Sequence, residues 1–358
     1  MRFVLFTTNL AGGGAEKALA KIGTGLAERG HAVDFVVCED AGAYPAPDGC
    51  RFHALSRRAG HGWFGKRWLA WRLGQFLSAR PCDLLVSTLP FADEVAALAR
   101  VPRHVCRIAN TLSAEIARLP AAKAARRTAR YRALYGRQQS LVAVSQGVAD
   151  DLAAHFGVPA ERLRAIANPF DFETIRRQAA ETCSGLPEGP YILHVGRYAA
   201  QKRHDLLFAA FSSLPQLPHT LVLLTPPDAE LDAAIRRHGL EERVVVAGFQ
   251  ANPYPWMAHA DLLVLCSDHE GLPNVLIEAL ACGTRVVSTD CPSGPREILS
   301  GALAHGLTPC GDAAALAQAM LDTLARPKPA ASEIATALAP YDATRSLDAW
   351  EALAREQV

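Results

Sequence analysis

LLVLCSDHEGLPNVLIEALACGTRVVS, residues 262–288, carries two short runs suited to buried strands on either side of a helical pattern. Residues 262–266 are continuously apolar, as a strand covered on both faces requires, and 285–288 is β-branched at its centre. Between them the spacing predicts a helix of about nine residues, Pro273 to Ala281, with Leu272, Val275, Leu276, Ala279 and Leu280 as its core stripe. Proline suits the first helical position, and Gly283 suits the turn just past the end. A strand, a crossover helix and a second strand imply a parallel sheet with right-handed connections.

The same grammar extends outward. Upstream, 191–195 reads as a strand, Gly196-Arg197 as a turn, 206–211 as part of a helix and 220–224 as a strand, with 244–246 next in the series. The first half opens with a strand at 3–7 and a tight loop at Ala11-Gly12-Gly13-Gly14. Ala15, Ala18, Leu19, Ile22 and Leu26 follow at helical spacing, Gly30 supplies the stop, and 32–38 is the next strand. Further strands are expected at 84–87, 105–108 and 141–144. The expected fold class is α/β, with two doubly wound Rossmann-like domains facing a central cleft, where ligands of such sheets bind. A length of 358 residues suits two cores of about 170 residues each. The domains are expected at 1–168 and 188–340, joined by a Pro- and Gly-rich segment around 169–190.

Half the residues are hydrophobic and a fifth are charged, which excludes a disordered chain. The apolar run at the N-terminus is far below signal-peptide or membrane-spanning length, and no later run approaches ~18 residues, so a cytoplasmic chain is expected. The nine cysteines form no Cys-x-x-Cys pair, which suits small core hydrophobes in a reducing compartment. Net charge is +1, but residues 1–170 carry 23 basic and 13 acidic side chains while residues 171–358 carry 14 and 23. Halves of net +10 and −9 imply domains with different partners, the basic one seeking phosphate.

The chemistry concentrates in Glu270-Gly-Leu-Pro-Asn-Val-Leu-Ile-Glu278. A helix start offers backbone N–H groups and a positive dipole end, which suit a diphosphate, so Leu272, Pro273 and Asn274 are expected to bind it. Asn274 and Glu278, four apart, share the face opposite the core, and a carboxylate there can accept both hydroxyls of a vicinal diol such as a ribose. Glu270 precedes the phosphate-binding turn, where a sugar on that diphosphate would lie. The alternative is that both are ordinary solvated glutamates. Arg197 and Lys202, after the first strand of the second domain, would stabilise charge developing on a departing diphosphate. Gly13 and Gly14 would let backbone approach phosphate at a helix start.

Taken together, the glycine-rich turn, Gly196-Arg197 with Lys202, Glu270-x7-Glu278 and the tail Asp290-Cys-Pro-Ser-Gly-Pro-Arg-Glu-Ile-Leu299 resemble the family 4 (GT4-type) retaining glycosyltransferases of GT-B fold. The resemblance spans almost the whole chain and is most specific over 190–300. It implies that Gly13 and Gly14 approach the diphosphate, that Arg197 and Lys202 neutralise it, and that Glu278 binds the ribose. Glu270 would be the catalytic residue, contacting donor-sugar hydroxyls near the reacting carbon. Residues 248–253 resemble the base-binding turn, and the segment around 343–358, with Trp350, resembles the helix that crosses back onto the first domain. Many relatives place a His in the first domain; here Arg107-Ile-Ala-Asn110 occupies that strand end, and His104 lies on the wrong side of the strand, so no first-domain base is assigned. No Asp-x-Asp occurs, so no metal and no cofactor are expected, the nucleotide sugar being a substrate. UDP is favoured over GDP on family grounds. A hexose or N-acetylhexosamine would pass to a glycan acceptor in surface polysaccharide or oligosaccharide assembly.

Residues 49–82 contain no acid, but seven Arg or Lys residues accompany Trp63, Phe64, Trp68 and Trp71. Residues 116–149 again contain none, with Arg118, Lys123, Arg126, Arg127, Arg130, Arg132 and Arg137 interspersed with Leu119, Tyr131, Leu134 and Tyr135. This pattern suits an anionic membrane surface, at ~1 kcal/mol per basic residue, with aromatics at headgroup level. It predicts peripheral docking to the inner face of a membrane and a polyprenyl-diphosphate-linked acceptor. Two readings compete: at least two of the four aromatics are core, or the charge is a nucleic-acid face, for which no binding module is recognised.

Three other activities compete with the transferase. Gly12-x-Gly14 with Glu39 or Asp40 fits a nicotinamide-dependent oxidoreductase, but Lys17 stands where the third glycine belongs. A sugar-nucleotide epimerase shares the architecture, and a non-catalytic sugar-nucleotide sensor would need the same pocket.

Overall fold

The structure is a computed structural model describing residues 1–356 except 12, 43, 44, 59 and 61. The chain divides into two units, Met1–Pro169 with Ala343–Val358, and Phe170–Asp342.

The first unit is built on seven parallel strands: β1 (Arg2–Thr7), β2 (Ala32–Val37), β3 (Arg51–Ala54), β4 (Leu84–Thr88), β5 (His104–Ile108), β6 (Leu141–Ala143) and β7 (Leu163–Ala165). Their spatial order is β3-β2-β1-β4-β5-β6-β7. Successive side chains of a strand point to opposite faces, so β1 feeds two cores. Phe3 and Leu5 pack with Leu19, Ile22 and Leu26 of the helix Gly14–Glu28. Val4 and Phe6 pack with Leu69 and Leu73 of the helix Trp63–Ala79. The closing helix Ala343–Glu356 adds Trp350, fully buried in the Phe3 cluster, where it contributes on the order of 4–6 kcal/mol of apolar burial. Arg29 reaches Asp348 at 2.7 Å, and His31 reaches Glu351 at 3.0 Å, tying that helix to the first turn of the unit.

The core reading of the aromatics fails. Trp63, Phe64, Trp68 and Trp71 are 63, 81, 43 and 58% exposed, because they lie opposite Leu69 and Leu73 on their helix. Among the described residues no helix is long and apolar enough to cross a membrane.

The second unit has six parallel strands: β8 (Tyr191–Val195), β9 (Thr220–Leu224), β10 (Val244–Val246), β11 (Leu262–Leu265), β12 (Arg285–Thr289) and β13 (Leu307–Thr308), in the order β10-β9-β8-β11-β12-β13. The chain leaves β8 toward one edge of the sheet and returns through β11 toward the other, so the topological switch lies between β8 and β11. Loops leaving these two strands therefore diverge and open a crevice at their carboxyl ends. The corresponding switch in the first unit lies between β1 and β4.

The helix expected from Pro273 is Asn274–Ala281; Pro273, at φ −75° and ψ 88°, is its N-cap. Its buried residues are Leu276, Ile277, Ala279, Leu280 and Ala281, with Val275 only half-buried. The stripe expected through Val275 is displaced because the helices Phe172–Ala179 and Tyr254–His259 pack on this helix as well as the sheet.

Candidate active site

In the second unit the residues singled out in the sequence gather on both sides of the switch. β8 ends at Val195 and delivers Gly196 and Arg197; β11 ends at Leu265 and delivers the loop to Glu270. A side chain at Gly196 would meet His194 Nε2 at 3.5 Å and the Lys202 methylenes at 3.7 Å, so the turn is closely backed on one side. Arg197 is exposed and makes no hydrogen bond or ion pair among the described residues.

Lys202 and Glu270 meet. Lys202 Nζ donates to Glu270 Oε1 at 2.6 Å, and Ser267 Oγ donates to the same oxygen at 2.7 Å. Glu270 is only 7% exposed, so the solvated-glutamate reading fails for it. Several bonds lock the two loops together. Gln201 Nε2 donates to the His269 carbonyl at 2.6 Å, Asp268 N–H to the Gln201 carbonyl at 2.9 Å, and Arg203 pairs with Asp268 at 2.8 Å. A buried carboxylate is tolerated because two donors converge on it.

The turn Gly271-Leu272-Pro273 is buried and leads into the Asn274–Ala281 helix. Gly294 supports it from beneath. At φ +101° this residue occupies backbone space open to glycine, and a Cβ there would stand 2.3 Å from Pro273 Cδ and 3.3 Å from the Gly271 carbonyl oxygen. The Pro292 carbonyl accepts the Glu270 N–H at 3.1 Å. The Cys-Pro-Ser-Gly-Pro tail thus shapes the loop from Glu270 to Pro273.

Glu278 lies ~6 Å along the helix from Asn274, at ~1.5 Å rise per residue. It is half-buried, and Tyr254 O–H donates to its Oε1 at 3.4 Å. Tyr254 follows the 248–253 turn, in which Phe249 is 57% exposed and Asn252 Oδ1 accepts the Tyr254 N–H at 3.1 Å. One tyrosine therefore connects the turn singled out for a base with the carboxylate singled out for a ribose. Burial, then Glu278, raises the Tyr254 pKa, keeping it a hydroxyl donor. Tyr254, Ser267 and Gly294 escaped the sequence reading. Ser267, three residues before Glu270, and Gly294, inside the quoted tail, carried local signals; Tyr254 carried none.

His194, fully buried one residue before the end of β8, was missed as well. Its Nδ1 bonds the Val264 carbonyl at 2.9 Å, and its Nε2 lacks a partner among the described residues. Burial, with a further push from His204, lowers its pKa to about 3. It is a neutral ring backing Gly196.

In the first unit, Gly12 lies outside the described residues. Gly13 caps the helix Gly14–Glu28, and a Cβ on it would stand 2.4 Å from Glu16 Oε2. That oxygen is the far end of a flexible side chain, and a Cβ on Gly14 would meet nothing within 4 Å. Arg107, 1% exposed, bonds Asn168 Oδ1 and Thr88 Oγ1; burial lowers its pKa to about 10 against the pull of Glu16 and Asp93. His104 begins β5, at the end of the sheet away from the strands' carboxyl ends, and bonds Ser87 Oγ at 2.8 Å. Among the described residues no group of three His, Cys, Asp or Glu side chains is disposed to hold a metal ion.

The chain is 36% identical over 167 residues to the Campylobacter jejuni N-acetylgalactosamine-N,N'-diacetylbacillosaminyl-diphospho-undecaprenol 4-alpha-N-acetylgalactosaminyltransferase, a match covering 46% of this chain and 45% of that protein. It is 28% identical over 169 residues to the lipopolysaccharide 1,6-galactosyltransferase of Salmonella typhimurium, covering 45% of this chain and 46% of that one. The chain thus spans about half the length of the relatives it matches. The crystal structure of Anabaena HepE in complex with UDP-glucose superimposes with a TM-score of 0.78 at 22% identity, covering 99% of this chain and 100% of that one, which shows a shared fold. Residues 12–174 match the model of glycosyltransferase family 4 and residues 189–326 that of glycosyl transferases group 1, so the chain belongs to these GT-B glycosyltransferases.

Proposed function

We propose that the chain transfers a hexose or N-acetylhexosamine from a UDP-sugar, with retention and without a metal, to a glycan carried on a polyprenyl diphosphate in surface polysaccharide or lipopolysaccharide assembly. The observation that carries this is the Lys202–Glu270–Ser267 constellation at the β8/β11 switch, followed by a helix start and then Glu278. In this reading Glu278 holds the ribose hydroxyls, and Arg197, Lys202 and the amino end of the helix hold the diphosphate. Glu270 then faces the sugar.

The anomeric carbon–oxygen bond to the diphosphate breaks as the acceptor oxygen bonds to that carbon on the same face, and the acceptor's proton passes to the leaving phosphate oxygen. Cations fixed before reaction stabilise the departing charge more than they stabilise the bound donor. A UDP-sugar is supported by the complex of the structurally similar HepE, and a lipid-linked acceptor by the name of the Campylobacter relative.

The test is UDP release from a panel of UDP-sugars with and without a polyprenyl-diphosphate oligosaccharide, with the new linkage read by proton NMR. Acceptor-dependent release and an α-linked product from an α-linked donor are expected. Release of nucleotide from no donor, or a β-linked product, sinks the proposal. Acceptor-dependent release also separates a transferase from an epimerase.

The second part of the proposal is peripheral docking at the inner face of a membrane through the exposed Trp63, Phe64, Trp68 and Trp71. Arg67 and Arg72 stack on Trp63 and Trp68 at 5.0 and 5.4 Å. Flotation with vesicles containing phosphatidylglycerol at low salt checks this, and a chain that stays at the bottom of the gradient contradicts it.

A further inference from the structure

A cavity of about 720 Å³ opens in the first unit among the helices Trp63–Ala79, Pro90–Ala99 and Ala121–Tyr135, at the amino ends of β5 and β6. It lies away from the carboxyl ends of β1 and β4, where this sheet would bind a ligand of its own. Its volume is in the range of ~300–1,000 Å³ usual for small-molecule sites. Ala96, Leu98, Val101, Pro102 and Leu134 give it apolar walls. The one acid that lines it, Glu94, is already paired with Lys66 and Arg130.

Two arginines remain at the rim, Arg100 and Arg137, both exposed. Arg100 ends its helix in the left-handed conformation, at φ +54°, where glycine is the usual occupant. A cation is held in strained backbone at the mouth of a cavity whose apolar walls are interrupted by His104, Gln138 and Gln139. Trp63 lines the same cavity and begins the exposed aromatic face.

We infer that this cavity takes one acyl chain of an anionic phospholipid, with Arg100 and Arg137 on the headgroup phosphate. The inference rests on the membrane-docking reading and gives it a specific ligand. Aromatic contact alone would accept any bilayer interface, whereas a cavity with two rim guanidinium groups selects a lipid that is both acylated and anionic.

The experiment uses the full chain and soluble dihexanoyl phosphatidylglycerol below its micellar concentration, read by titration calorimetry. Dihexanoyl phosphatidylcholine and glycerophosphoglycerol without acyl chains serve as controls. One phosphatidylglycerol should bind per chain, at least tenfold tighter than either control. Ala133→Phe, which fills the cavity from an exposed position, should weaken it at least tenfold, and Arg100→Gln with Arg137→Gln should do the same. If Ala133→Phe fails to fold, the rim variant alone decides. Equal binding of the controls, unchanged binding in the folded variants, or tighter binding of farnesyl phosphate would overturn the inference, the last making the cavity an isoprenoid site. Trp68→Ser with Trp71→Ser separates the two readings: flotation should fall while soluble-lipid binding stays within twofold. Flotation unaffected by that change refutes docking through the aromatic face and leaves the cavity result to stand by itself.

Discussion

Lys202→Met removes the ammonium that shares Glu270 Oε1 with the Ser267 hydroxyl, in a site where the glutamate is 7% exposed. Removing one partner of a buried ion pair costs ~3–5 kcal/mol because the other charge stays desolvated. The Lys202 side chain is 23% exposed, so water reaches part of the vacated space, and we expect a loss of ~2–3 kcal/mol in the stability of the second unit. Adding Glu270→Gln removes the stranded charge while Ser267 can still donate to the amide oxygen. The double variant should therefore recover to within ~1 kcal/mol of the parent. Turnover should behave otherwise. Glu270→Gln and the double variant should both lose ~100-fold or more in kcat, because a neutral amide does not reproduce the carboxylate's charge at the donor sugar. The assay is urea denaturation followed by the fluorine NMR signal of 5-fluorotryptophan at Trp256, the one tryptophan in residues 170–342, beside kcat for the four proteins. A double variant no more stable than Lys202→Met, or a Glu270→Gln enzyme with parental kcat, refutes the reasoning.

Gly294→Ala forces a side chain to φ +101° against Pro273 Cδ at 2.3 Å, so a loss of ~1–3 kcal/mol and a raised KM for the donor are expected; parental values for both would mean the turn is not held from beneath. Tyr254→Phe deletes a hydroxyl 3.4 Å from Glu278 and should weaken UDP binding about three- to tenfold by calorimetry, with unchanged affinity counting against the ribose role. Burial lowers the pKa of His194 to about 3 and that of His204 to about 4, against an ordinary value of 6.5. Their contribution to stability is therefore complete above pH 6.5 and is lost as pH falls toward 4. The Trp256 signal should report a decline of ~2–3 kcal/mol per pH unit below pH 6, and a flat urea midpoint between pH 7 and 5 contradicts it. Excess EDTA should leave turnover unchanged; a loss restored by Mg²⁺ would overturn the metal-free reading.

The fold class was legible because the strands that matter are buried on both faces and punctuated by glycine. Residues 3–7, 191–195 and 262–266 each read as near-continuous apolar runs. What escaped was structure without that contrast. β3 is an edge strand reading RFHA with partly exposed positions, and β13 is two residues long. The helix Ala121–Tyr135 is too basic to show an apolar stripe beyond Tyr131 and Tyr135. In the site, Glu270 and Lys202 could each be named, but not as partners, since 68 residues separate them. Their meeting depends on β8 lying beside β11, a fact of topology that no local spacing carries. Gly13 could be named from a glycine before a helix, but not its neighbour: that a Cβ at 13 would stand 2.4 Å from Glu16 Oε2 follows from how the Glu16 side chain turns back over the helix start.

A crystal of the full chain grown with UDP would bear on the central claim most directly. Density should place the ribose hydroxyls on Glu278 and the pyrophosphate between the amino end of the Asn274–Ala281 helix and the Arg197 and Lys202 side chains, with Glu270 facing the open end of the terminal phosphate. A nucleotide bound against the Gly13-Gly14 turn alone, or one that touches neither glutamate, would contradict the account.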